Sequence, residues 1–339
     1  MVTIADVARL ANVSTATVSR VTSGGEPSVR VDTRFRVLRA IHQLGYVPNA
    51  GARFLRTQRS GKLLVTVRSL IDRSSSRILQ AIADAAFNEG YGILLGVTNG
   101  DARRRRAHAS RLRSREVEGL ICMGDDFPST RAAWLRSGFG DLPAVTVSET
   151  SAVPGVSAVI VNATSAAGDA LEELWRRGHQ DIAIVWDGSD EPRYRRQVAG
   201  VRRVAERHRL SNGVRYLLTD GARFEVSAAS ELLGGSSVPT AILCLNEMIG
   251  AGIMRLAHRH RLRVPQDVSI IAIEAVGLAT AMDPALSTMS PPCAAIGEAT
   301  VKLVLERVRG VTRTARPVEL SYEFVEHLST GRRPLERLV

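Results

Sequence analysis

The chain is 339 residues long, room for two or three domains at roughly 150 residues each, so it is no peptide, fibre or disordered tail. Apolar residues make up 45%, charged residues 23% and aromatics 4%, which fits a soluble α/β protein and excludes low-complexity and coiled-coil classes. Lys and Arg number 45 against 34 Asp and Glu, a net charge of +11. Clustered cations of this kind bind polyanions by releasing counterions from phosphates.

That charge is concentrated. Residues 1–62 hold ten Lys and Arg and three acids, which leaves +4 for the other 277 residues. A polyanion contact therefore belongs to the N-terminal segment. The cysteines Cys122, Cys244 and Cys293 are odd in number and too widely spaced for a disulfide framework or a zinc site, and no metal or cofactor is expected. Met1-Val2-Thr3-Ile4-Ala5-Asp6 contains no signal-type apolar region, and the chain has no apolar run of about 18 residues. A cytoplasmic location is the expectation.

Taken in chain order, Ile4, Val7, Ala8 and Ala11 recur at helical spacing behind Thr3, a suitable N-cap, and predict a helix over 4–11. A turn follows at Asn12-Val13. Ser14 can cap a second helix with Thr17, Val18 and Val21 inward and Thr15, Ala16, Ser19 and Arg20 outward. The pair reads as a helix-turn-helix, whose second helix lies in the major groove. There hydroxyls, methyls and guanidinium groups meet base edges and phosphates. A third helix is predicted from Asp32 to Leu44, with Phe35, Leu38, Ile41 and Leu44 inward and Gly45 as its stop.

Three ordered blocks, Thr3-Ile4-Ala5-Asp6-Val7-Ala8, Asn12-Val13-Ser14-Thr15-Ala16-Thr17-Val18-Ser19-Arg20-Val21 and Leu44-Gly45-Tyr46-Val47-Pro48-Asn49, closely resemble the headpiece of the LacI/GalR family of bacterial transcriptional regulators. The resemblance implies that Thr15, Ala16 and Arg20 face DNA, with Thr3, Ser14, Thr17 and Ser19 completing the surface. Ala16 stands where some members have a longer polar residue, which reduces its part to contact with a thymine methyl. Asn49-Ala50-Gly51-Ala52-Arg53-Phe54-Leu55-Arg56 resembles the family's hinge helix. By that likeness Leu55 is a minor-groove wedge, and Asn49, Arg53 and Arg56 contact the backbone beside it.

From Leu63 apolar strands alternate with amphipathic helices: strands at 63–67, 93–97, 119–123, 144–147, 158–161 and 182–185, and helices at 78–90, 107–115 and one ending near His179. This is a βαβ series with parallel sheets. Gly178-His179, Pro239-Thr240-Ala241-Ile242, Arg263-Val264-Pro265-Gln266-Asp267-Val268-Ser269 and Pro284-Ala285-Leu286-Ser287-Thr288 resemble the family's effector domain. The expected fold is an all-α helix-turn-helix headpiece plus an α/β, two-lobed, periplasmic-binding-protein-like effector domain. The expected divisions are 1–47 headpiece, 48–61 hinge and 62–339 effector and dimerisation domain. Within the last, one lobe takes about 62–160 and 291–317 and the other about 162–288 and 318–339, with crossings near Val161, Pro291 and Pro317.

Ligands of such sheets sit at the carboxyl ends of the strands. The resemblance places Ser69, Asp72, Ser74 and Ser75 where much of the family has an Asp-x-x-Asn-Pro-Phe-Phe stretch, so an aromatic stacking platform is replaced by serines. Gln197, with Arg196 beside it, stands at the family's pocket arginine. Asn246, Glu247 and Glu274 stand at its polar acceptors, and Trp186 closes a strand at the same edge. Helix capping by Glu247 and plain packing by Trp186 are the alternatives. The arginine run 103–106 reads as a solvated face. No nucleophile elbow, phosphate loop, dinucleotide fingerprint or metalloprotease motif is present, so no enzyme is expected.

The function implied is a DNA-binding regulator, with repression the expectation. It would act as a homodimer on double-stranded operator DNA, with affinity set by a small-molecule effector such as a carbohydrate. A dimer rather than a tetramer is expected, because the chain ends without the heptads of the C-terminal coiled coil by which some family members form tetramers. The other reading is an architectural DNA-binding protein with a vestigial pocket.

Overall fold

The computed structural model describes residues 2–22, 29–47, 54, 59–70, 73–124, 127, 130–136, 139–140, 142–149, 152–186, 192–210, 213–218, 227–235, 237–273, 277–312 and 314–333. The chain divides into two units, Met1–Ser60 and Gly61–Val339.

The first unit holds α1 (Ile4–Ala11), α2 (Thr15–Thr22) and α3 (Val31–Leu44). Val7, Ala8 and Ala11 of α1, Val18 and Val21 of α2 and Val37 and Ala40 of α3 form its core, with Ile41 and Leu44 packed against them. Asn12 ends α1 in left-handed backbone at φ 52°, a conformation asparagine tolerates better than most non-glycine residues. The expected inward face of α3 is corrected in part: Phe35 is 68% and Leu38 47% exposed. Ile41 and Leu44 fit a stripe with Val37 and Ala40, which lies on the opposite side of the helix from Phe35 and Leu38.

The second unit contains two six-stranded sheets. In chain order its elements are β1 (Lys62–Val67), α4 (Arg73–Asn88), β2 (Gly92–Val97), α5 (Ala102–Arg113), β3 (Gly119–Met123), α6 (Arg131–Arg136), β4 (Ala144–Ser148) and β5 (Ser157–Val161). The chain continues through α7 (Ala163–Arg176), β6 (Ile182–Trp186), α8 (Pro192–Arg207), β7 (Val214–Leu218), α9 (Ser227–Gly234), β8 (Ala241–Cys244), α10 (Glu247–Arg259) and β9 (Ser269–Ile273). It closes with β10 (Ser287–Ser290), α11 (Cys293–Val308), β11 (Pro317–Leu320) and β12 (Glu323–Val325). The strand orders are β11-β5-β4-β3-β1-β2 and β12-β10-β9-β8-β6-β7. Every pairing is parallel except β10 with β12. Near-continuous apolar runs suit strands covered on both faces.

In the first sheet Leu63, Val65, Ile121 and Val145 face α4 and α11, while Leu64, Leu120 and Cys122 face the α5 and α6 side with Ala109, Leu112 and Trp134. The second sheet does the same with α7 and α8 on one face and α9 and α10 on the other.

The chain passes between the sheets at Asn162, at Pro291-Pro292 and at Ser321-Tyr322. The third passage lies beyond Pro317, because Pro317–Leu320 still pairs with β5 in the first sheet. Proline is tolerated there as the first residue of an edge strand.

Candidate nucleic-acid interface and effector cleft

Two caps fix the N-terminal face. Thr3 and Asp6 form a reciprocal capping box at α1: the Thr3 amide donates to Asp6 Oδ2 at 2.9 Å, and the Asp6 amide donates to Thr3 Oγ1 at 3.4 Å. Hydrogen bonds from the Thr3 hydroxyl and amide hold the Asp6 carboxyl below its ordinary value. At α2 the Thr17 amide donates to Ser14 Oγ at 3.2 Å, and the two hydroxyls lie 2.9 Å apart. Thr3, Ser14 and Thr17 thus set the helix ends. Thr15, Ala16 and Arg20 are exposed, opposite buried Val18 and Val21, and Ser19 is half-buried. Asn49, Arg53, Leu55 and Arg56 lie outside the described residues.

In the second unit all three passages leave a strand at its carboxyl end, from β5, β10 and β11. Because β12 runs antiparallel, its first residue Glu323 pairs with Ser290 at that same edge. The carboxyl edges of both sheets therefore border one gap. Ser69 follows β1 at this edge, half-buried Ser75 lies in the first turn of α4, and half-buried Trp186 closes β6 with its ring edge-on to Tyr216 at 6.4 Å. Asn246 follows β8; its carboxamide oxygen accepts from the Ile249 amide at 2.8 Å, and its nitrogen donates to the Tyr194 hydroxyl at 2.9 Å. Tyr194, one turn into α8 and 4% exposed, is a residue that sequence reasoning passed over. Its signal was an aromatic just after a strand's carboxyl end.

Two expectations change. Glu247 is 1% exposed, and its carboxylate accepts from the Ala279 amide at 2.5 Å. That bond ties it to the segment after β9, and the cap of α10 is Asn246 rather than Glu247. Gln197 is 0% exposed on the buried stripe of α8 shared with Tyr194 and Val201. Neither atom of its carboxamide has a partner, nor does Nη1 of Arg196, an arrangement that is costly inside a protein. Asp72 and Glu274 lie outside the described residues, as does the side chain of Ser74. Among the described residues no group of three or more His, Cys, Asp or Glu could hold a metal ion, and no helix is long and apolar enough to cross a membrane.

Residues 3–49 match the family described as bacterial regulatory proteins, lacI family. Residues 171–330 match the periplasmic binding protein-like domain. The chain is 27% identical over 328 residues to the HTH-type transcriptional repressor PurR of Vibrio cholerae serotype O1 (strain M66-2), covering 96% of this chain and 97% of that protein. It is 28% identical over 337 residues to PurR of Klebsiella pneumoniae (strain 342), covering 98% of each. A crystal structure of the Lac repressor dimer bound to operator and the anti-inducer ONPF shares the fold, with a TM-score of 0.76 at 24% identity over 97% of this chain and 99% of that one. The relatives span the headpiece, the two sheets and their order along the chain, and with the matched residues they identify the chain as a member of the LacI/GalR family of bacterial transcriptional regulators.

Proposed function

We propose that this chain is a repressor that binds a pseudo-palindromic operator as a homodimer and is controlled by a small molecule held between the two sheets. The observation that carries the reading is the exposed face of α2, where Thr15, Ala16 and Arg20 stand opposite the buried Val18 and Val21. A methyl, a hydroxyl and a guanidinium group on one rigid surface suit base edges in the major groove. One such helix reads only a short half-site, and a twofold pair placed one helical turn apart multiplies the selectivity. Leu55 enters this scheme by resemblance as the minor-groove wedge.

For the effector, the candidates are Ser69, Ser75, Trp186 and Asn246, which offer hydroxyls, a ring and a carboxamide, with Arg196 near the start of α8 as the candidate guanidinium. Effector and operator affinities are then coupled reciprocally, typically by about 1–3 kcal/mol. The test selects binding sites from random duplex DNA with the full-length protein, then titrates the winner by fluorescence anisotropy. Arg20→Ala is expected to weaken the selected site by about 1–3 kcal/mol with unchanged folding. Leu55→Ala is expected to weaken the selected site while sparing random DNA. Failure to enrich any sequence, or equal loss on random DNA for both variants, defeats the reading. Sedimentation at micromolar concentration is expected to give a dimer.

A further inference from the structure

The point where the chain enters the body is held by two side chains that the reading above does not use. Gly61 is the first residue of the second unit and precedes β1, which lies between β3 and β2. Its backbone is left-handed at φ 64°, although a Cβ there would meet nothing within 4 Å. Glycine is therefore demanded by the direction the chain takes and not by lack of room.

Both neighbours of β1 grip this residue. From the β3 side, Glu118 Oε1 accepts from the Gly61 amide at 2.7 Å, and the Glu118 amide donates to the Lys62 carbonyl at 2.8 Å. From the β2 side, the Gly92 amide donates to the Gly61 carbonyl at 2.8 Å. The Tyr91 hydroxyl donates to Glu118 Oε2 at 3.1 Å. One carboxylate thus joins the starts of the two strands that flank β1, with one oxygen on Tyr91 and the other on the entering chain.

An amide at the rim of a sheet can be satisfied by water, so folding alone does not call for a carboxylate here. A charged acceptor makes a shorter bond, roughly twice as strong as a neutral one. Glu118 and Tyr91 are both half-buried, which strengthens it further against solvent. What such a bond fixes is length. Leu55, the wedge by resemblance, is six peptide steps from Gly61, a reach of at most roughly 22 Å. Releasing Gly61 adds one step, about 3.5 Å, to the reach of each protomer and about 7 Å to that of a twofold pair. A base pair inserted between two half-sites separates them by only about 3.4 Å more, so one released residue on each side is enough to absorb it.

We propose that Glu118 is a positioning residue: with Tyr91 it clasps Gly61, fixes how many residues lie between the wedge and its anchor, and so sets the half-site spacing that the dimer accepts. This rests on the reading that a homodimer binds an operator of two half-sites.

The test uses the full-length protein with Glu118→Ala and Glu118→Gln. Each is titrated by fluorescence anisotropy against the selected operator, the same duplex with one base pair inserted at its centre, and random duplex DNA. The wild type is expected to lose about tenfold or more in affinity on the insertion. Glu118→Ala is expected to lose about threefold or less, with binding to random DNA unchanged and amide exchange over 59–63 accelerated. Glu118→Gln keeps an acceptor for the Gly61 amide and is expected to restore most of the discrimination. Tyr91→Phe, which removes a single hydroxyl, is expected to fall between wild type and Glu118→Ala, and it carries the test should Glu118→Ala melt early.

Equal discrimination between the two duplexes by the wild type and the variants overturns the clasp. So does a loss in the variants that is the same for both duplexes and for random DNA, which is the mark of a general structural defect. A wild type that binds both duplexes equally defeats the homodimer reading instead, because no spacing is then being measured.

Discussion

In the headpiece no buried side chain of the core among the described residues is larger than valine, whereas the body fully buries Trp134, Phe139 and rows of leucine and isoleucine. The small unit is specified by short-range devices: a capping box between residues three apart, a left-handed asparagine and a Gly45 cap that returns hydrogen bonds to Ile41 and His42. The large unit is specified by contacts far apart in sequence. A reading surface can thus be rebuilt by a few exposed substitutions on α2, while the effector domain tolerates little change along its layers.

The sharpest way to break this contrast is Gly200→Ala. A Cβ there would stand 2.0 Å from the Thr164 carbonyl oxygen, so α7 and α8 touch backbone to backbone. Urea denaturation is expected to show the body losing about 3 kcal/mol; a neutral result would mean that the helices part freely. Next in size is Val18→Ala, at 0% exposure, expected to cost about 2 kcal/mol. That loss should be confined to the headpiece, with amide exchange over 4–44 accelerated and the melting of the body unchanged.

Thr3→Ala is expected to cost about 1 kcal/mol of α1 stability through loss of the cap, read by headpiece amide exchange. Because the Asp6 pKa is lowered in the folded state from 3.8, its contribution is present above that pH and is lost as pH falls through the folded value. The variant should show less of this acid sensitivity. The smallest effect concerns His179 in the body. Burial pushes its pKa down from 6.5. The folded protein keeps the ring neutral, with Nε2 placed to donate to the Gly331 carbonyl at 3.2 Å and the Thr240 hydroxyl 3.0 Å from Nδ1. The unfolded chain protonates first, so stability declines as pH falls below about 6.5 and levels off below the folded pKa. Melting curves between pH 7.5 and 5.5 should be flatter for His179→Gln than for the wild type.

Caps and periodicity made α1 and α2 legible, because their determinants lie within four residues of each other. The phase of α3 was not fully legible: Phe35 and Leu38 are spaced like Ile41 and Leu44 and are more apolar than Ala40, and only packing on α1 turns Val37 and Ala40 inward. The strands and the matched edge positions were readable from alternation and resemblance. The commitment of Glu247 was hidden, since its partner Ala279 lies 32 residues away. Gln197 sits at the expected register, but the rotation of α8 turns it beneath the surface. Pro317 reads as a break in sequence and proves to start a strand, because an edge position spares its missing amide.

The three passages between the sheets also govern the order in which the molecule can be made. Sheet one lacks its edge strand until residue 320 emerges, and the face carrying Leu63, Val65, Ile121 and Val145 waits for α11, which ends at Val308. During translation at about 5–20 residues per second, that face has only α4 to cover it for on the order of ten seconds after β5 is complete. The headpiece, whose core is drawn from residues 4–46 alone, has long since folded by then. A ribosome stalled in the last third of the message would therefore display a finished DNA-reading module tethered to an unfinished, adhesive one, a species for chaperones to shield.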